Sequence, residues 1–127
     1  MKLFLTSYRI PTLAPLVELI GKSPSEITLG LIPNAGDYYA ERARTFKINE
    51  KKQYLDDLGF KTTLIDLVGY TSVDDLSDAI NNVDAVWASG GNTFCLRHAM
   101  HASEFDQIIE SAMKKGLVYC GESAGAI

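Results

Sequence analysis

Leu117-Val118-Tyr119-Cys120-Gly121-Glu122-Ser123-Ala124-Gly125 is the stretch whose reading decides the fold. Four strand-forming residues run straight into Gly-x-Ser-x-Gly, the pattern of a buried strand that turns sharply into a helix start. Such a turn strains the backbone of its central residue and leaves that side chain exposed. Ser123 is therefore a candidate nucleophile. Gly121 and Gly125 carry no Cβ, so the strand and the segment after it can approach closely. The backbone N–H of Ala124 would face a negative charge developing at the turn.

Working outward from this turn, short apolar runs alternate with amphipathic stretches. Upstream, Glu104 to Lys115 has helical spacing, with Phe105, Ile108, Ile109 and Ala112 on one face, and Gly116 stops it. Thr93 to Met100 also reads as helix. Ala85 to Ala88 is a fully apolar strand, broken by Gly90-Gly91-Asn92-Thr93. Ser72 to Asn81 is a short helix with Ser72 as N-cap. Lys61 to Leu67 is a strand, and Ala40 to Leu58 is a long charged helix closed by Gly59. Ile27 to Ile32 is an apolar strand ending in the loop Pro33-Asn34-Ala35-Gly36. Thr12 to Ile20 is helical, with Leu13, Leu16, Val17 and Ile20 on one face and Gly21 as its stop. Lys2 to Thr6 is the first strand.

Five strands separated by helical crossovers must be mostly parallel. The expectation is a single α/β domain over residues 1–127, a doubly wound and mostly parallel sheet. Ligands in such sheets bind beyond the C-terminal ends of the strands. Three glycine-bearing loops fall there: Pro33 to Gly36, Ser89 to Thr93, and Gly121 to Gly125.

The second of these loops supplies a further candidate. Glycines at a strand end let backbone amides point into the cleft, so Gly91 N–H is a candidate second donor to an oxyanion. Thr93 reads as the N-cap of the next helix. His98 and His101 are the only histidines in the chain, and they read as surface residues. Glu122 is expected to face solvent or else to contact substrate, and Cys120 to pack in the core. Asp37, Tyr38 and Tyr39 either line the cleft or start a helix.

Composition narrows the function classes. The chain has 127 residues, 46% hydrophobic and 22% charged, with a net charge of -4. That is ordinary for a globular domain and argues against nucleic acid or anionic membrane as partners. No apolar run approaches the roughly 20 residues of a membrane helix. The start Met1 to Thr6 reads as strand rather than signal peptide, because polar Ser7, Tyr8 and Arg9 interrupt it. The expected location is cytoplasmic. Cys95 and Cys120 show no metal or redox spacing, and no metal or cofactor is expected.

Gly90-Gly91-Asn92-Thr93-Phe94, followed some thirty residues later by Gly121-Glu122-Ser123-Ala124-Gly125-Ala126, resembles the aspartyl dipeptidase (dipeptidase E) family of serine peptidases, a group that includes cyanophycinases. Ile32-Pro33-Asn34-Ala35 is similar as well. The resemblance implies a class I glutamine amidotransferase-like fold, with Ser123 as nucleophile and backbone oxyanion donors at Gly91 and Ala124. It implies hydrolysis of short peptides, including dipeptides with an N-terminal aspartate, without a metal. The family's histidine and acid follow the nucleophile, and the chain ends at Ile127. The expectation is that the C-terminal part is missing and that these residues alone are inactive. Three other readings remain open: a truncated, non-catalytic product, a general α/β-hydrolase esterase, and an anion- or nucleotide-binding module.

Overall fold

The computed structural model describes residues 1–7 and 13–127. Its strands are β1 (Lys2–Thr6), β2 (Thr28–Ile32), β3 (Lys61–Leu64), β4 (Ala85–Ala88) and β5 (Val118–Glu122). Its α-helices are α1 (Ala14–Ile20), α2 (Glu41–Asp57), α3 (Val73–Asn81), α4 (Thr93–Ala102) and α5 (Phe105–Lys114). The strands form one sheet in the order β1-β5-β4-β2-β3, and every pairing is parallel. This is the doubly wound α/β architecture that the alternation of elements predicts.

Right-handed crossovers explain the two layers. The chain steps one way through β1, β2 and β3, then returns through β4 and β5. Helices α1 and α2 therefore cover one face, while α3, α4 and α5 cover the other. Strand parity divides the core accordingly. Leu29, Leu31, Ala85, Trp87, Val118 and Cys120 pack with Leu16 of α1 and Leu55 of α2. Ile32, Val86 and Ala88 pack with Leu76, Leu96, Ala99 and Phe105 on the opposite face. All four residues of β4 are buried. A strand covered on both faces has no use for polar alternation, which is why Ala85 to Ala88 reads as a continuous apolar run.

Several local signals work as the sequence suggests. Ser72 Oγ accepts the Asp75 N–H at 3.1 Å and caps α3. Gly21 ends α1 in the left-handed region at φ +83°. Phe105, Ile108, Ile109 and Ala112 all face the core. Other boundaries shift. β3 ends at Leu64 rather than Leu67, because the chain there leaves the sheet to bring Asp66 and Leu67 against Asn34. Thr93 is not the N-cap of α4: Asn92 is, its side-chain oxygen accepting the Cys95 N–H at 3.0 Å. The helical start expected at Thr12, and the run through Tyr8 and Arg9, lie outside the described residues. Val17 does not join the buried face of α1, where Leu13, Leu16, Leu19 and Ile20 pack instead.

At one edge of the sheet, Phe4 packs toward the α1 and α2 layer. Leu3 and Leu5 point the other way and are 57% and 52% exposed.

Candidate active site

The sheet's winding reverses between β2 and β4, so the loops leaving these strands diverge and open a crevice at their C-terminal ends. A cleft of about 250 Å³ lies there. Gly90, Gly91, Glu122 and Ser123 line one side, and Tyr39, Arg44, Lys47, Lys51 and Tyr54 line the other.

Ser123 is exposed at the end of β5 and has φ +50°. A left-handed conformation costs a non-glycine residue on the order of 1–3 kcal/mol, so the surroundings must impose it. The glycines of the motif show how. A Cβ on Gly121 would overlap the Gly125 carbonyl, and one on Gly125 would overlap the Ala88 carbonyl of β4. The turn is thus folded tightly back on its own strand and against the neighbouring one. Tyr119 adds a clasp from the opposite face, donating its Oη hydrogen bond to the Gly125 carbonyl at 2.7 Å. Burial pushes the Tyr119 phenol up to about 12, so it remains a neutral donor across the physiological range.

The Gly90–Gly91 loop lies directly against this turn. A Cβ on Gly90 would sit 3.1 Å from Ser123 Cβ and 3.6 Å from its Oγ. Gly91 has φ +148°, and a Cβ there would overlap the Ala35 carbonyl. That carbonyl also accepts the Asn92 N–H at 2.7 Å, which binds the loop to the end of β2. Both candidate oxyanion donors, Gly91 and Ala124, therefore flank Ser123 in sequence or across the strand ends.

Glu122 corrects a sequence expectation. It does not face solvent: it is 3% exposed. β5 continues two residues further than expected, to Glu122 rather than Cys120, so Glu122 shares the face of Val118 and Cys120 and points under α2. Its Oε2 meets Lys51 Nζ at 2.9 Å, and its Oε1 accepts the Gly90 N–H at 3.2 Å. Strand parity carried through the motif is the signal that could have placed it.

A second polar cluster holds the far side of the cleft. Asn34 is fully buried. Its side-chain amide donates to Asp37 and Asp66, each at 2.9 Å, and its oxygen accepts the Leu67 N–H at 3.0 Å. Arg44 bridges the same two carboxylates, at 2.9 Å from Asp37 and 2.8 Å from Asp66. Burial pushes the Asp66 carboxyl up, but hydrogen bonds from Asn34 and Arg44 outweigh it, and the net shift is below the ordinary value. Sequence reasoning singled out neither Asp66 nor Arg44. They come together only through the β2–β3 pairing, and nothing in their spacing announces it.

Of the remaining candidates only Tyr39 lines the cleft. His98 and His101 are both exposed on α4, and His101 Nδ1 lies 3.4 Å from Asp106. Cys120 is fully buried, and burial pushes its thiol up to about 12. Of the Asp37-Tyr38-Tyr39 trio, Tyr39 lines the cleft, Asp37 pairs with Arg44, and Tyr38 is exposed. Among the described residues no group of three or more His, Cys, Asp or Glu is arranged to hold a metal ion. No helix among them is long and apolar enough to cross a membrane.

A doubly wound parallel sheet with a left-handed serine in a Gly-x-Ser-x-Gly turn at a strand end is the structural setting of a nucleophile elbow. Residues 6–127 match the pattern of peptidase family S51, and the chain belongs to that family. It is 29% identical over 125 residues to an uncharacterized peptidase of Listeria monocytogenes, covering 98% of this chain and 58% of that protein. It is 33% identical over 101 residues to peptidase E of Haemophilus influenzae, covering 78% of this chain and 42% of that protein. The chain thus spans little more than half the length of the Listeria relative. A solved structure of a Listeria monocytogenes protein assigned as a peptidase E superposes with a TM-score of 0.79 at 29% identity, over all of this chain and 61% of that one. A peptidase from an acI-B1 actinobacterium shares the fold at a TM-score of 0.74 and 21% identity.

Proposed function

We propose that the chain carries the nucleophilic half of a serine peptidase that hydrolyses short peptides, dipeptides with an N-terminal aspartate among them. Ser123 Oγ attacks the scissile carbonyl, and the backbone N–H groups of Gly91 and Ala124 receive the resulting oxyanion. The observation that carries this reading is the backbone of Ser123. A serine held at φ +50° between two crowded glycines is a strained and exposed hydroxyl, and such strain persists where it serves chemistry. Membership of family S51 and the names of relatives such as the Haemophilus peptidase E support the peptidase class; the substrate class is what the resemblance to the aspartyl dipeptidases implies.

Among the described residues no histidine lines the cleft. A serine without a base within hydrogen-bond reach is a weak nucleophile at neutral pH. These 127 residues alone are therefore expected to be slow or inactive, with the base supplied by groups outside them.

The test is reaction of the folded chain with a fluorophosphonate, with and without added imidazole as a surrogate base, read by intact mass. Labelling at Ser123 is expected to be slow and to accelerate with imidazole. Ser123→Ala is expected to abolish it. Equal labelling of Ser123→Ala, or none in the folded wild type even with imidazole, would sink the assignment of Ser123.

A further inference from the structure

We propose that Glu122 is a positioning residue. Its buried carboxylate holds the Ser89–Gly90 peptide and so sets the Gly90–Gly91 backbone against Ser123, with Lys51 as the counter-ion that makes the burial tolerable. The proposal rests on the reading of Ser123 as nucleophile.

Three observations converge on this role. The first is the use of both carboxylate oxygens: Oε1 takes the Gly90 N–H at 3.2 Å and Oε2 takes Lys51 at 2.9 Å. A carboxylate that is 3% exposed is unfavourable unless it is paired and hydrogen-bonded. Here each oxygen has a partner, and one of those partners is the loop beside the nucleophile.

The second is the need for an anchor. Two consecutive glycines have the largest backbone freedom of any dipeptide, and a loop of that kind holds a geometry only if it is pinned. The far side is pinned by the Asn92 N–H on the Ala35 carbonyl and by the Asn92 cap on Cys95. On the near side Glu122 supplies the corresponding bond. Because Glu122 adjoins Ser123 in the chain, one residue fixes the loop and the nucleophile relative to each other.

The third is a division of labour between the two amides. The Gly90 N–H is occupied by Glu122, so it is not free for a substrate oxygen. The next amide, Gly91 N–H, lies one peptide unit beyond the Ser89–Gly90 unit that Glu122 holds. A bare carboxylate so near a developing negative charge would oppose it. Lys51 at 2.9 Å offsets that charge, leaving the orienting bond.

The experiment compares wild type, Glu122→Ala and the double variant Glu122→Gln/Lys51→Met. The double variant keeps a hydrogen-bond acceptor for Gly90 and removes both charges together. Two quantities are read on the folded chain: amide hydrogen exchange at Gly90 and Gly91 by NMR, and the imidazole-assisted fluorophosphonate rate at Ser123. Glu122→Ala is expected to speed exchange at Gly90 and Gly91 about tenfold or more, with the β4 amides unchanged. It should also slow Ser123 labelling by roughly 10- to 100-fold, the usual penalty for a misplaced catalytic group. The double variant should return both to within about threefold of wild type, because the acceptor and not the charge does the positioning. A role confined to tying α2 to the sheet predicts equal impairment of the two variants, since each loses that tie. Unchanged exchange at Gly90 and Gly91 in Glu122→Ala overturns the proposal, as does a double variant as impaired as the alanine one. If wild-type Ser123 does not label at all, the nucleophile reading fails, and the exchange data alone decide whether Glu122 holds the loop.

Discussion

The two sides of the cleft are built by opposite means. Around Ser123 the architecture depends on side chains being absent: Gly121, Gly125 and Gly91 each sit where a Cβ would strike a carbonyl. Across the cleft the loops after β2 and β3 depend on side chains being present, with Asp37, Asp66 and Arg44 bonded into one half-buried cluster around the buried Asn34. The reactive side gains rigidity from close backbone packing, which leaves little slack for substitution. The supporting side gains it from hydrogen bonds, which answer to pH and to polarity.

The comparison breaks most visibly at Gly125. Alanine there would place its Cβ on the Ala88 carbonyl, which is backbone of a fully buried strand and cannot move aside. Gly125→Ala is expected to cost about 3 kcal/mol, the upper part of the range for overpacking a tight site. Urea unfolding would show it as a lower midpoint with unchanged slope. A loss below about 0.5 kcal/mol, the level of a neutral surface change, would mean that the turn is looser than the packing implies.

The supporting side should break less severely and with a pH signature. Asn34→Leu leaves the Leu67 N–H without its acceptor and takes one donor from Asp66. The expected loss is about 2 kcal/mol at neutral pH, in keeping with an unsatisfied buried donor. The Asp66 carboxyl is held below its ordinary value of 3.8, so its contribution to stability is present above that value and is lost as pH falls through the lower, folded-state value. Removing Asn34 weakens the depression. The gap between wild type and Asn34→Leu should therefore narrow as pH drops below about 3.8. A gap that stays constant from pH 7 to pH 2 would separate Asn34 from the titration of Asp66.

The same contrast explains how much of the molecule was legible in its sequence. Strand and helix order followed from periodicity, because both faces of the sheet are covered and the apolar runs are accordingly continuous. The reactive side was legible as well: close backbone approach requires glycine, and glycine is visible at Gly91, Gly121 and Gly125 without knowing what they touch. The supporting side was not. Asp66 and Arg44 are ordinary residues for a loop and a charged helix, and they meet Asn34 only after β2 and β3 pair in register. Glu122 was misplaced for a related reason. Its fate depended on whether β5 ran two residues into the motif, because the strand's alternation then turns Glu122 to the face of Val118 and Cys120.

The smallest effect sharpens the contrast on the reactive side, where the structure stores strain rather than stability. Ser123 occupies φ +50° without a glycine's tolerance for it. Ser123→Gly removes the penalty of the left-handed region, about 1–2 kcal/mol for an L-residue. It also adds freedom to the unfolded chain, which offsets roughly 0.5–1 kcal/mol of that gain. The expected net is a stabilisation of about 0.5 kcal/mol, with Ser123 labelling by fluorophosphonate lost. Ser123→Ala is the control: it deletes the hydroxyl but keeps the Cβ and the strain, so its stability should match wild type within about 0.3 kcal/mol. Thermal unfolding of the three proteins side by side tells the cases apart. If glycine and alanine are equally stable, the turn does not strain position 123, and the exposed hydroxyl owes its place to the neighbouring glycines alone. If glycine alone is more stable, the fold is holding the serine in a conformation that its own backbone disfavours.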